Sequence, residues 1–476
     1  MSMTLLLLAA TPVAIVCGLL LPRWLFFGVM GIFGMLLPRA NVLQIPLHSG
    51  LGGLVAWMRA RRPDHKVRGL APLVITLLFG AATIVLSFAS SPDFPASLQA
   101  ACSWAALAST SVLAVNLIMK DGLGAVGKVL ALLTPIALAQ ALTTLVFRFI
   151  PTIESAYYSS SISKIFLGGA GQALSTDTGR NNVVSLVRAG GFLFVNVNRA
   201  SMVMGIILLA YCAYALLSSK KWPLLVVIPL AAAIALGGSK TGIALLVVLP
   251  LFSIFLATAS RAANAPARMG LVLSALAAAV VGVQVFFATA DDFLAASEET
   301  LQPRLQLWGE AIRAIRENWF LGLGYGGWTQ RWEQGNVHIP FSIRPVHDWF
   351  LQAWLDGGIL FAAANVIFVF VIVTITLRAV SSPGSFQYKL AMAFAGAAFL
   401  WAIIHGLGDN TSILSDPPAL VFLALLAGFM LAGPHLTRPA TPDEATTASA
   451  LTSDKIYAGG TYVRGFYVKG LYTKGR

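Results

Sequence analysis

Charged residues are scarce in this sequence. Only 11% of its 476 residues are charged, whereas soluble domains carry about 25%. Hydrophobic residues make up 57%, and the mean hydropathy is +0.79. The shortage of charge excludes an ordinary soluble domain, and long apolar runs stand where the charges would be. The composition therefore predicts an all-α, polytopic membrane protein whose helices largely face lipid.

Cysteine is equally scarce. The three cysteines, Cys17, Cys102 and Cys212, all lie inside apolar runs. Their spacing suggests no disulfide framework, zinc site or catalytic thiol. No cofactor is predicted. The formal charge of +13 could indicate nucleic acid as a partner. In a membrane chain, basic residues more often hold cytoplasmic loops against anionic lipid, so we expect no nucleic acid.

A spanning helix needs about 20 apolar residues, and about twelve candidates meet that length when tilting or kinking is allowed. The first run resembles a signal peptide, but it lacks a basic start and another apolar run follows at once. We interpret it as a retained first helix. The weaker run at 43–57 is interpreted as interfacial or re-entrant. The predicted spans are 3–21, 24–38, 70–89, 100–118, 129–149, 193–217, 223–238, 241–259, 269–289, 349–377, 390–406 and 418–433.

The basic residues predict the orientation. Five of them crowd the loop 59–68, and the loops that strict alternation places on the same side are also basic. The loops at 90–99 and 407–417, on the opposite side, contain no Lys or Arg. Because cytoplasmic loops carry an excess of Lys and Arg, the basic side is predicted to be cytoplasmic, with both termini there.

Two long loops fall on the outer side, at 150–192 and 290–348, and long loops in a compact protein are usually functional. Together with the spans they form one predicted membrane domain, 1–433. The segment 434–476 shifts to Thr, Ala, Pro and Asp and is predicted to be disordered. It ends in a five-residue repeat, "IYAGG", "TYVRG", "FYVKG", "LYTKG", which either skims an anionic leaflet or is a low-complexity extension.

The second long loop contains "QPRLQLWGEAIRAIRENWFLGLGYGGW". Pro303 suits the first turn of a helix, and Leu305, Trp308, Ile312 and Ile315 follow at helical spacing. This pattern predicts an amphipathic helix along the outer membrane surface. Arg304 lies one turn from Trp308 and shares its face. The glycine cluster that follows has no strand before it, so it is interpreted as a close-packing turn and not as a nucleotide loop.

His347 and Asp348 directly precede the tenth predicted span. Asp348 is a good N-cap for that helix. The positive end of the helix dipole disfavours an imidazolium at His347, as a general base requires, whereas the neighbouring Asp348 favours it. The sequence does not decide which of these two opposing effects on His347 is larger. It also leaves the alternative that His347 is an ordinary polar residue at the level of the lipid headgroups.

Six cations are expected to gather on the outer side. Guanidinium groups bind phosphate bidentately, so a pyrophosphate held at the outer leaflet is the candidate ligand. The alternative, anchoring to lipid phosphates, is favoured for Arg148, whereas the functional role is favoured for Arg304 and Lys240. The six are Arg148, Arg188, Arg199, Lys240, Arg304 and Arg344.

These stretches together resemble the O-antigen ligase and polysaccharide polymerase superfamily of bacterial inner membranes. "HDWFLQAWLDGGILF" is similar to its signature, a His followed by Leu-Gln, an acidic residue and Gly. The loop with Arg304 and Trp308, and "GGFLFVNVNRASMVMG" with Asn198, are similar to two further family stretches. "GGSKTGIALLVV" lies where the family has Ser-Arg-Gly or a close variant. The resemblance covers roughly 190–410.

The resemblance implies a metal-independent glycosyltransferase of the bacterial inner membrane. The donor would be a glycan on a polyprenyl pyrophosphate, and the acceptor another glycan or the lipid A core. His347 would be the base, and Asp348, Trp308 and Asn198 would support the site. The pyrophosphate ligands carried over would be Arg304 and Lys240, and the predicted cluster of cations adds Arg344 and Arg188 as candidates. Lys240 replaces the family's Arg and Asp348 its common Asn, which leaves fine mechanism open.

Several functions fit these residues. A ligase and a repeat-unit polymerase differ only in the acceptor, and an oligosaccharyltransferase would use protein. A transporter of an anionic lipid-linked substrate would also need cations in a cavity. Transporters usually show paired repeats and a site near the midplane, whereas this sequence shows no repeat and groups its charges at one surface.

Overall fold

The computed structural model describes residues 15–36, 51–60, 67–167, 174, 184, 187–262, 269–270, 291–337, 345–408, 417–436, 461–463 and 466–468. Apart from one small hairpin, regular structure in this part of the chain is helical. The helices are α1 (Arg23–Leu36), α2 (Leu51–Arg59), α3 (Leu70–Leu86), α4 (Phe94–Asn116), α5 (Gly122–Phe149), α6 (Pro151–Ser159), α7 (Ser161–Leu167), α8 (Val197–Ser218), α9 (Leu224–Leu236), α10 (Lys240–Ala259), α11 (Asp291–Glu317), α12 (Gly327–Glu333), α13 (Trp349–Ser381), α14 (Phe386–Gly408) and α15 (Pro417–Leu436).

Long apolar helices dominate, as the hydropathy predicts. Within the described residues, seven helices are long and apolar enough to cross a membrane, and α1 and α9 are shorter apolar helices. The all-α multi-pass architecture is therefore confirmed, while the count of twelve spans stays a prediction. The predicted span 269–289 and most of the span 3–21 lie outside the described residues.

One of the seven apolar stretches is 56 residues long, from Phe94 to Phe149. It divides into α4 and α5 at a π-helical turn, after which Gly122 takes a left-handed backbone (φ 74°) that ends regular helix. The two parts pack on different neighbours: α4 lies against α3 and α15, and α5 against α1 and α9. They correspond to the predicted spans 100–118 and 129–149.

The start of α8 differs from the prediction. The span 193–217 was expected to be helical throughout, but the helix begins at Val197. The residues before it are tied to α5 instead: Gln140 donates to Gly190 O (2.7 Å) and accepts from Leu193 N (3.0 Å). A buried side chain thus pairs the backbone groups that helix formation would otherwise pair.

Two contacts order α8, α10 and α14. Lys389, near the start of α14, reaches Ser260 O just after α10, so α10 runs antiparallel to α14. The start of α10 therefore lies toward the end of α14. Ser239, directly before α10, donates to Asn198 in the first turn of α8, which places the start of α8 there too.

The second long loop lies at this same end of the bundle. A Cβ added at Gly408, the last residue of α14, would lie 3.8 Å from Nη1 of Arg304 on α11. We call α11, α12 and the turn between them the cap, and this end of the bundle the cap side. The link between α3 and α4 also lies here, because Asp93 N donates to Tyr325 O (2.9 Å). The second long loop, the link between α3 and α4, and the end of α14 thus lie on one side of the bundle, as predicted. That this side is the outer one stays a prediction.

The core is centred on α8, α14 and α15, whose side chains are mostly buried. Trp401 of α14 is fully buried and packs on Gly205 of α8, where an added Cβ would come within 2.2 Å of the indole. Large rings against glycine allow close helix packing, which drives association where lipid supplies no hydrophobic contrast.

Two short strands lie within the segment predicted to be disordered. Thr461–Val463 (β1) and Phe466–Val468 (β2) pair antiparallel, with Tyr462 opposite Tyr467. They fall in the five-residue repeat, whose aromatic residues favour pleated structure. The rest of 437–476 lies outside the described residues.

Candidate active site

Two groups of predicted site residues lie on the cap side. The first surrounds the starts of α8 and α10 and contains Lys240, Asn198 and Arg188; we call it the Lys240 group. The second surrounds the start of α13 and contains His347, Asp348, Trp308 and Arg304; we call it the His347 group. Arg344 lies outside the described residues.

The Lys240 group is built on two helix N-termini. Ser239 caps α10 by accepting from Gly242 N (3.1 Å), and Asn196 caps α8 by accepting from Asn198 N (2.8 Å). Both caps are neutral, and neither helix has an acidic residue in its first turn. The hydroxyl of Ser239 also donates to Oδ1 of Asn198 (2.9 Å), which joins the two helix ends.

Cations occupy the first turns of both helices. Lys240 is the first residue of α10, and Arg199 is the third residue of α8, with its guanidinium 6.0 Å from the Phe194 ring centroid. The helix dipole disfavours positive charge at an N-terminus, by about 0.3–1 kcal/mol. Two cations placed against two dipoles make a strongly positive surface suited to a phosphate-bearing anion.

Arg188 joins this group through the backbone. Ala189 N donates to Gly237 O (3.0 Å), and Gly238 has φ 92° with its added Cβ 3.1 Å from Cα of Arg188. Only glycine fits this contact, because the Val187 carbonyl would lie 2.1 Å from a Cβ. Arg188 is exposed and lies beside the residues that lead into Lys240.

Arg148 differs from the other cations. Its Nε donates to Leu236 O (3.1 Å), the last carbonyl of α9. A cation at a helix C-terminus is favoured by the dipole and needs no ligand to explain it. The anchoring of Arg148 to lipid phosphates, favoured from the sequence, stays a prediction.

The His347 group begins with a strained backbone. His347 has φ 58°, one of two non-glycine residues with positive φ in the described part of the chain. Asp348 caps α13 by accepting from Phe350 N (2.9 Å) and Leu351 N (2.8 Å), which confirms the predicted N-cap. Burial raises the pKa of Asp348, and these two backbone hydrogen bonds act against that rise. Strain of this kind often marks a functional position.

Trp308 holds the residue before His347. Its Nε1 donates to Val346 O (3.0 Å), and Val346 is fully buried in a small apolar core shared by α11, α12 and α13. Trp308 therefore fixes the backbone from which His347 projects. Arg304 lies one turn earlier on α11, beside Gly408.

The cap helix begins earlier than predicted. It starts at Asp291, so Pro303 lies inside it and not at its start. The face that it buries against the protein is Leu307, Ala311, Ala314 and Ile315, while Leu305 and Ile312 of the predicted apolar face are exposed. Small alanines permit close packing on α12 and α13, a contact that hydrophobic spacing alone does not reveal. That this helix lies along the outer membrane surface stays a prediction.

The glycine turn after α11 packs closely, as interpreted from the sequence. Gly322, Gly324 and Gly326 all have positive φ, and an added Cβ at Gly322 would lie 2.4 Å from Leu355 O. Leu323 N donates to that same carbonyl (2.6 Å). The turn therefore fixes the cap to the first part of α13.

Helix α13 is kinked where the family-like signature ends. Gly357 (φ −144°) and Gly358 (φ 68°) are non-helical and separate a short first segment from the long apolar segment. Asp356, buried at the kink, accepts from Gln352 Nε2 (2.8 Å). Sequence reasoning assigned no role to this pair, although a buried carboxylate at the edge of a membrane helix is itself a signal of function.

Two further buried polar side chains, those of Gln140 and Glu154, are not among the candidates identified from the sequence. Gln140 is a lone amide within an apolar span, a sequence signal that could have drawn attention to it. Glu154 on α6 is buried, with Oε1 accepting from Tyr158 Oη (3.0 Å). Burial raises the pKa of Glu154 to about 7, against a smaller lowering by the Tyr158 hydrogen bond. Tyr157 beside it donates to Phe192 O (2.7 Å), within the segment that leads to α8.

Among the described residues, no group of three or more His, Cys, Asp or Glu could hold a metal ion. The site residues that lie there are cationic, amide, hydroxyl and imidazole groups with one carboxylate. Such a set can bind an anion and move a proton. Metal independence of any reaction stays a prediction.

Comparison with known proteins gives one family. No curated protein matches the chain. Residues 225–366 match the family described as O-antigen ligase. The matched segment contains Lys240, Arg304, Trp308, His347 and Asp348, and Arg188 and Asn198 precede it. Through this segment the resemblance drawn from the motifs is confirmed: residues 225–366 form a region of the O-antigen ligase family.

Proposed function

We propose that the protein transfers a glycan from a polyprenyl-pyrophosphate donor to an acceptor hydroxyl at the periplasmic face of the bacterial inner membrane. The family supports a membrane enzyme of glycan transfer. The observation that carries the proposal is that a cationic surface on two helix starts lies on the same side of the bundle as a histidine of positive φ, whose preceding residue is held by Trp308.

The proposed reaction needs both groups. His347 takes the proton from the acceptor hydroxyl, whose oxygen attacks the anomeric carbon of the glycan. The bond from that carbon to the phosphate oxygen breaks, and the electron pair leaves on the polyprenyl pyrophosphate. Lys240, Arg188, Arg304 and Arg344 stabilise the charge that develops there. Trp308 and Asp348 keep His347 in place.

The acceptor distinguishes the alternatives. We favour an O-antigen ligase-like reaction, in which the acceptor is the lipid A core. An O-antigen or exopolysaccharide repeat-unit polymerase would use the same donor chemistry with a second repeat unit. A protein O-oligosaccharyltransferase or a transporter fits the sequence less well, the latter because the cations lie at one end of the bundle.

Purified protein in detergent with a defined lipid-linked glycan tests the proposal. We expect release of polyprenyl pyrophosphate together with a glycosylated acceptor, and about 10²–10⁴-fold slower product formation by the His347→Asn variant. In detergent there are no separate compartments, so a transporter would leave the lipid-linked donor unchanged. An unchanged donor would therefore overturn the proposal. Offering lipid A core and free repeat units separately then decides between ligase and polymerase.

A further inference from the structure

Three consecutive large apolar residues are exposed where the cap helix ends. Trp319, Phe320 and Leu321 are 57%, 51% and 44% exposed, directly after the polar run Arg316–Asn318. A contiguous apolar patch on a protein surface marks an interaction site. We call these three residues the apolar edge.

Backbone hydrogen bonds fix the apolar edge to the kink of α13. Trp319 O accepts from Ile359 N (3.0 Å) and from Trp354 Nε1 (2.9 Å). An added Cβ at Gly358 would come within 1.8 Å of Phe320 O, so the two backbones touch. Because Ile359 opens the long apolar segment of α13, the apolar edge lies beside the start of that segment.

The surface beside the apolar edge continues along α13. Exposed apolar side chains recur there at Val366, Phe370, Val373 and Leu377, the spacing of one helix face, and Phe370 is 72% exposed. Ile359 stands seven residues before Val366 and therefore on the same face. That face belongs to a helix long and apolar enough to cross a membrane, so lipid covers it.

We propose that the apolar edge inserts into the lipid leaflet on the cap side and anchors the cap at a fixed depth. Tryptophan is enriched at the boundary between hydrocarbon and water, where its ring is apolar and its N–H is satisfied. Behind the edge, the Arg331–Glu317 ion pair (2.7 Å) gives the cap a polar side. Anchoring would hold Arg304 and His347 at the height of a lipid headgroup, a consequence that rests on the proposed glycan transfer.

Depth measurement with spin labels tests the anchoring without any donor. Single cysteines at 320 and 321 are introduced into a chain whose Cys17, Cys102 and Cys212 are replaced by alanine, and the protein is reconstituted into phospholipid vesicles. Phe370→Cys serves as the lipid-facing reference, and Thr329→Cys, exposed on α12, as the reference on the cap surface. Collisions of each label with oxygen and with a water-soluble nickel chelate are compared.

We expect labels at 320 and 321 to gain oxygen collisions and lose nickel-chelate collisions relative to 329, with a depth shallower than 370. Labels at 320 and 321 as open to the chelate as 329 would place the apolar edge in water and overturn the proposal. Protection from both reagents, with cross-linking between cysteines at 320, would show a second copy of the chain there instead. Since the assay involves no chemistry, its result does not depend on whether the glycan-transfer proposal holds.

Discussion

The two site groups are built in opposite ways. The Lys240 group stands on two regular helix starts with neutral caps, Ser239 and Asn196, and with cations in the first turns. The His347 group stands on a left-handed residue, a helix start with an acidic cap, and a glycine turn packed on a kink. The helix starts of the first group have neutral caps and no acidic residue in the first turn, whereas the helix start of the second group has an acidic cap.

This difference assigns different tasks. Helix N-termini with neutral caps attract anions, and the nearby cations add to that attraction, so the Lys240 group is suited to binding an anion. An acidic cap offsets the positive end of the helix beside His347, and Trp308 holds the backbone directly before it, which suits a positioned proton acceptor. Variants that impair only donor binding or only proton transfer test this division.

The largest effect is expected at His347. His347→Asn should lower the turnover rate by about 10²–10⁴-fold, the usual contribution of a general base, with donor binding nearly unchanged. Asparagine is chosen because it tolerates φ near +58° better than alanine, so a loss cannot be assigned to the backbone. Turnover and donor affinity are measured on purified protein, with Gln330→Ala on the cap as the matched control.

His347→Gly extends this test. Glycine accepts the left-handed backbone and leaves space, so added imidazole should restore part of the turnover. Near-normal turnover in the asparagine variant would remove the base from the mechanism. Loss of donor affinity together with turnover would make His347 a positioning residue.

Arg304 should come next. Arg304→Ala removes a charge-assisted hydrogen bond to the donor and should weaken donor binding by about 1.5–3 kcal/mol, roughly 10- to 150-fold. Arg316→Ala, an exposed arginine on the same helix, is the matched control. Equal donor affinity in the two variants, measured by titration of the lipid-linked donor, would contradict the assignment.

A smaller loss is expected at Lys240. Lys240→Gln should weaken donor binding by about 1 kcal/mol, because a partly exposed ammonium contributes less than a bidentate guanidinium. Lys240→Arg should bind at least as well as wild type. Lys221→Gln, an exposed lysine between α8 and α9, should have no effect. If Lys240→Gln binds the donor normally, Lys240 is a lipid contact, and the division between the two groups fails.

The sequence predicts some of these features and misses others for physical reasons. Spans are readable because each needs one continuous apolar run, and the Asp348 cap because capping is local. The link from Ser239 to Asn198 joins residues 41 apart and leaves no periodic trace. Pro303 misled the prediction of the cap helix, since a proline is also tolerated inside a helix that bends. Gly357 and Gly358 are a local signal of a helix break, but the cap backbone that packs against them is distant along the chain and leaves no pattern in the sequence.

The smallest predicted effect concerns stability beneath the Lys240 group. Glu154 has its pKa raised by burial to about 7, so the folded protein holds this proton more tightly than the unfolded chain does. Stability should therefore fall as pH rises from about 4.5 to 7 and stay lower above that range. Glu154→Gln keeps an acceptor for Tyr158 without the charge. Its melting temperature should match wild type at pH 4 and exceed it at pH 8.

Glu317, a carboxylate in the cap, has a pKa shifted in the opposite direction and serves as the comparison. Its hydrogen bond from Arg331 lowers the pKa of Glu317, so ionised Glu317 favours the folded state. At high pH, Glu317→Gln should melt slightly below wild type and Glu154→Gln above it. Both differences in melting temperature should disappear as pH falls. Tryptophan fluorescence during heating in detergent measures both. Tyr157 links α6 to the segment before α8. If the melting temperature falls with rising pH only while Glu154 is intact, the least stable region therefore lies next to the Lys240 group and not next to His347.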